Sequence, residues 1–201
     1  MIRRQNDATV WRLGTEGRPT ALVAIEIYKI PGAPRLMSYE FVSLSKAKFA
    51  LTHKMAKIRR WEPTASGLTL KELPGAPKPA ATAPARLVQM RRQARRFTAT
   101  EHFRKEDIEC RLLPQPIDRY QSAADKIVDG AIFVYVNSTN PELSVVFETD
   151  GNHWLYGTLR MTSAKSSVAL DGREVAAYKA LPDRVPPKSY LNASHQLDGD
   201  K

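Results

Sequence analysis

A single cysteine in 201 residues, Cys110, is the first scarcity that constrains this chain. One thiol makes no internal disulfide, zinc ribbon or thioredoxin-like pair, and it fits a reducing compartment. Histidine is nearly as scarce. His53, His102, His153 and His195 are scattered, with no HExxH, HxH or Cys/His cluster, so no metal site is expected. Glycines stand singly, and neither GxGxxG nor a P-loop occurs, so no nucleotide or other cofactor is expected. No apolar run approaches the roughly 20 residues a membrane helix needs, since "TALVAIEIY" and "AIFVYV" are strand-sized. The opening "MIRRQNDATVW" has a basic start with no apolar stretch behind it, so no signal peptide is read and sequence alone points to the cytoplasm.

Acidic residues are depleted in one third of the chain. From Lys46 to Lys105 there are 15 Lys/Arg against three acids (Glu62, Glu72, Glu101), while the remainder carries 16 against 18. The net charge of +10 is therefore regional, and such a bias argues about anionic partners, not about fold. Hydrophobic residues at 42% and charged residues at 26% are ordinary for a folded protein, which excludes disorder throughout.

What is present alternates like a β protein. "TVWRLGTEGRPTALVAIEIYKI" reads as a hairpin turning at Glu16-Gly17, and "LMSYEFVSLS" as another strand. "KFALTHKMAKIRRW" fits either a helical face (Ala47, Leu51, Met55, Ile58) or two short strands, and the strands are preferred because "LTLKEL" alternates after it. "PGAPKPAATAPA", 74–85, has four prolines and is a loop or connector, because proline lacks the ladder amide. "RLVQMRRQARRF" then reads as a helix from Ala83 to about Thr98. Thr82 is its N-cap, Pro84 falls in its first turn, and Leu87, Met90, Ala94 and Phe97 form its apolar stripe. Beyond it, "IECRLLPQPIDRY", "GAIFVYVN", "ELSVVFET" and "HWLYGTLRM" are strands. "SVALDGREVAAY" is a hairpin with a type I′ turn at Asp171-Gly172. "GAIFVYVN" is apolar on both faces and so belongs in the centre of a sheet.

The fold class expected is α+β and β-rich: a twisted antiparallel sheet packed by one long amphipathic helix. Residues 1–179 form one domain with the 74–85 connector inside it, and the polar tail 180–201 is expected to be flexible.

Chemistry-bearing residues are few. Arg91, Arg92, Arg95 and Arg96 form two i,i+4 rows, and "RRW" (Arg59, Arg60, Trp61) adds a stacking aromatic, together suiting phosphate or another polyanion. Against this, arginine stems also cover apolar surface without any ligand, and Glu101, Glu106, Asp107 and Glu109 are close enough in sequence to be partners. Cys110 reads as a buried inert thiol, since nothing places His102 on its face. Asp150 and His153 could pair as acid and base, although turn chemistry explains "DGN" without it. No catalytic residue is assigned.

The order of "GRP" (17–19), "SYEFVSLS" (38–45), "PGAPKPA" (74–80), "RLVQMRRQARRF", "RLLPQPIDRY" (111–120), "DGAIFVYV", an NPE turn, "LSVVFET" and a late "ALDG" resembles an uncharacterised protein family abundant in planctomycete bacteria. The resemblance runs from about Val10 to about Tyr178. It implies one domain and, because members of that family carry a signal or lipoprotein-like leader, a cell-envelope or exported location. It brings no activity and no catalytic residue.

These readings point to a non-enzymatic binding or protein-interaction module of a bacterial cell, its partner a protein or a small ligand. The alternative is polyanion binding through the basic 46–105 region.

Overall fold

The computed structural model describes residues 5–28, 34–52, 60–103, 105–181 and 188–197. The chain is antiparallel and β-rich. Strands β1 (Gln5–Leu13), β2 (Ala21–Tyr28) and β3 (Leu36–Ser43) form a meander. Two-residue strands β4 (Leu51–Thr52) and β5 (Arg60–Trp61) pair with each other, and β6 (Lys71–Glu72) follows. After helix α1 (Ala83–Ala94) come β7 (Phe97–Phe103), β8 (Glu106–Leu112), β9 (Asp118–Ser122), β10 (Ile127–Asn137) and β11 (Asn140–Thr149). The described chain ends with β12 (Trp154–Arg160), β13 (Lys165–Leu170), β14 (Arg173–Tyr178) and β15 (Tyr190–Gln196).

The strands build two large sheets where the sequence suggests one. The first has the order β1-β2-β3-β15, the second β14-β13-β7-β8-β10-β11-β12-β6. β10 is shared along one side: β8 pairs with it at Tyr135–Val136, and β9 at Ile127–Ile132. β10 and β11 are buried on both faces, as their apolar runs require. Their Ile132, Val134, Val136 and Val146 face Leu22, Ala24, Val42 and Tyr190 of the four-stranded sheet. Their Phe133, Tyr135, Val145 and Phe147 face a second core closed by β7, β13 and the helix.

The helix is three turns long, shorter than expected. It stops at Ala94 because tertiary contacts capture the next residues: the Arg96 carbonyl accepts from the Asp171 amide (2.9 Å), and Phe97 leaves in β7 to pack on Phe147 and Tyr156. Its buried face is Arg86, Met90, Gln93 and Ala94, while Leu87 is half-buried. Arg86 tolerates burial because Asp129 lies 2.8 Å away and the Ala80 and Ala81 carbonyls accept from the same guanidinium. Arg119 reaches the same carboxylate at 2.6 Å, so two cations share the buried Asp129 and fix the helix start to β9 and β10.

Two turns follow from residue chemistry. Asp171 and Gly172 both have positive φ (49° and 78°), the requirement of a type I′ turn. Gly130 admits the Tyr120 ring, which would lie 2.4 Å from any Cβ there, and this lets the phenol reach Glu148 (2.7 Å). Arg18, at the β1–β2 turn, closes on both oxygens of Glu148 at 2.6 Å and ties the two sheets together.

The C-terminal expectation is corrected in part. Tyr190–Gln196, assigned to a flexible tail, is β15, paired with β3 along its whole length. Its alternation, Leu191 and Ala193 on one face and Tyr190 on the other, gives it a place in both apolar layers.

Candidate ligand-binding site

The outer face of the four-stranded sheet is apolar, which a two-layer sandwich does not need. Cross-strand pairing aligns Trp11, Val23, Phe41 and Leu191 in one row across all four strands. The β4–β5 pair lies over this row. Trp61 of β5 is 2% exposed, tilted on Phe41 (centroids 5.6 Å) and edge-on to Phe49 (5.8 Å). Between roof and floor is a cavity of about 170 Å³ lined by Leu13, Val23, Phe41, Leu51, Thr52, Trp61 and Leu191. The Thr52 hydroxyl and the Trp61 indole N–H are the only polar side-chain groups among these residues. The indole nitrogen is buried and has no hydrogen-bond partner among the described residues. At the end of the row Trp11 is 60% exposed, its N–H donating to the Thr9 hydroxyl (3.1 Å).

The basic residues singled out in the sequence do not form one surface. Trp61 is core, so its faces are not open to a base, which corrects its reading as a stacking aromatic. Arg60 is exposed and bonds Glu62 (2.7 Å). Arg96 holds Asp171 through two hydrogen bonds, 3.1 and 2.6 Å, and keeps that carboxyl below its ordinary range. Arg91 donates to Gln115, while Arg92 and Arg95 are exposed with no described partner. Arg59 and His53 lie outside the described residues.

Cys110 lies opposite Ala99 in the β7–β8 ladder, and His102, three residues along, points to the other face. Burial, with Glu142 and Glu101 nearby, pushes the thiol up to about 12, so it is unreactive near neutral pH. Asp150 accepts the amides of Asn152 and His153 (2.8 and 2.9 Å), which hold it below its ordinary value, and its distance to the His153 ring is 3.8 Å. This carboxylate serves the turn. Among the described residues no group of three His, Cys, Asp or Glu is placed to hold a metal ion, and no helix is long and apolar enough to cross a membrane.

Sequence reasoning missed the cavity. Its seven lining residues come from six strands, so no single stretch of the sequence carries it.

The fold and cavity define a two-sheet antiparallel β protein with a small apolar site under a short hairpin. No family model matches the chain, and neither does any curated protein or solved structure.

Proposed function

We propose that the protein is a binding module that takes a small, largely apolar ligand bearing one hydrogen-bond acceptor. The observation that carries this reading is the buried Trp61 N–H without an acceptor beside an apolar cavity of about 170 Å³. A cavity of about 150 Å³ lined by aliphatic and aromatic residues stays dry and accepts a single benzene ring. A donor buried there without a partner costs about 1–3 kcal/mol, which a ligand carbonyl recovers. The ligand class is therefore one ring, or a short chain, with a carbonyl or ether oxygen.

The test uses the three tryptophan side-chain N–H signals (Trp11, Trp61, Trp154) in a ¹⁵N-resolved NMR titration. Acetophenone is expected to move the Trp61 signal downfield and to bind about tenfold more tightly than ethylbenzene, which has the same ring but no acceptor. Leu13→Phe, which fills the cavity from the edge strand, removes the shift. If neither compound perturbs Trp61, the reading fails.

A second reading keeps the anionic partner. Arg92 and Arg95 stand exposed on the outer side of the helix with no partner among the described residues, with Arg91 beside them, and that trio is what supports polyanion binding. Binding to a DNA duplex should weaken steeply with salt and vanish in Arg92→Glu/Arg95→Glu, since phosphate contacts release counterions. No binding at low salt removes this alternative.

A further inference from the structure

The face of β7, β8 and β13 that points away from the core carries a connected polar row. Strand pairing sets Lys165 (β13), His102 (β7) and Asp107 (β8) directly across from one another, and sets Ser167 opposite Thr100 in the next row. Their side chains share one face, because directly opposed residues do. The contacts follow a definite order. His102 Nδ1 lies 2.6 Å from Asp107 Oδ1, and His102 Nε2 lies 2.9 Å from Ser167 Oγ. A carboxylate accepting from Nδ1–H fixes the tautomer in which Nε2 presents its lone pair to the hydroxyl. That is the arrangement a nucleophile, a general base and an orienting carboxylate require, and it is recognised by geometry and not by sequence position. The row is open to solvent: the His102 and Asp107 side chains are 24% and 76% exposed.

We propose that Ser167, His102 and Asp107 form a hydrolytic relay acting on small, activated carboxylic esters. Ser167 Oγ attacks the carbonyl carbon while its proton passes to His102 Nε2. The carbon–oxygen bond to the leaving group breaks, and the imidazolium returns the proton to the departing alkoxide or phenoxide. Water then attacks the acyl-serine with His102 taking its proton. The carboxylic acid leaves and the serine regains its hydrogen. Lys165, on the same face two residues from Ser167 and opposite His102, supplies a positive charge on the side where the oxyanion develops. With its histidine and carboxylate reached by solvent, the relay suits short acyl groups with good leaving groups. Asp107 acts through His102 and is a positioning residue.

The test treats the full chain with a fluorophosphonate, which modifies serines activated by a histidine, and maps the adduct by mass spectrometry. An adduct on Ser167 is expected, and no other serine should react comparably. With 4-nitrophenyl acetate a burst of phenolate should precede turnover. Turnover should fall by about 100-fold or more in Ser167→Ala and His102→Gln. Asp107→Asn should lower kcat with KM unchanged. Each side chain lies on the solvent side of the sheet, so a thermal melt is expected to show the variants folded. An unmodified Ser167 in the unaltered protein overturns the proposal, and this outcome depends on no variant folding. Hydrolysis that persists in Ser167→Ala overturns it equally, because it identifies a histidine acting alone. Neither result bears on the cavity under β4–β5, which lies on the other sheet.

Discussion

The two faces of the four-stranded sheet obey the same alternation and meet different partners. Inward, Leu22, Ala24, Val42 and Tyr190 meet β10 and β11, long strands whose Ile132, Val134, Val136 and Val146 pack against them. Two charged groups there are engaged, Glu40 accepting from Asn192 (2.6 Å) and bonding Tyr190, and Arg160 donating to three backbone carbonyls while lying over the Tyr190 ring (4.9 Å), although the buried Ser144 hydroxyl has no partner among the described residues. Outward, among the described residues, Val23, Phe41 and Leu191 meet Phe49 and the two-residue pair of β4 and β5, and a cavity and an unbonded indole remain. A long strand brings a periodic surface that fills its partner's grooves. Two residues of strand bring one aromatic and leave space around it. The site is thus a consequence of covering a regular apolar face with an irregular lid.

Truncations should expose the difference. Leu22→Ala, at a fully buried inward position, is expected to cost about 4 kcal/mol in a denaturant melt, since lost burial and a new void add together. Leu191→Ala is the matched change on the outer face. It borders space that already exists, so fewer contacts are lost and the cost should be nearer 2 kcal/mol. Equal costs would mean that the outer face is packed as tightly as the inner one. Filling the space should act oppositely: Leu13→Phe, on the floor, is expected to raise stability by up to about 1 kcal/mol and to weaken acetophenone binding. A loss of stability there would show that the cavity walls cannot accept a longer side chain.

The inner layer was the legible part. "GAIFVYVN" and "ELSVVFET" are apolar at successive positions, and only a strand covered on both faces uses that pattern. Asp171-Gly172 marked its turn for an equally local reason, a backbone that needs two positive φ values. Nothing local marks the end of the helix. "ARRF" continues the helical spacing, and what stops it is Asp171, distant in sequence, taking Arg96 through side chain and backbone together. The arginines were legible as a cluster, but Asp129 and Asp171, which neutralise Arg86 and Arg96, were not the acids nearest in sequence. β15 hid its alternation among Asn, Ser and His, so it read as a polar tail. Of the relay, His102 and Asp107 flank one hairpin, while Ser167 joins them from 65 residues away. Register, which composition does not carry, brings it there.

The smallest effect tests the inward face through one proton. Glu40 is buried between the sheets, and desolvation, aided by Glu26 and Glu142 and opposed by Asn192 and Arg160, holds its pKa well above the ordinary 4.5. The folded state therefore binds this proton more tightly than the unfolded chain. The stabilisation is complete below the unfolded value, and it is lost as pH rises through the folded one. Glu40→Gln keeps an acceptor oxygen and an amide donor in place of the protonated carboxyl, and it has nothing to ionise. The two proteins should have nearly equal urea midpoints at about pH 4, and the glutamine variant should become the more stable as pH rises toward about pH 8. Curves that stay parallel over that range would separate the proton on Glu40 from folding. The outer face offers a control: Leu13→Phe removes no ionisable group, so its stability difference should not change with pH.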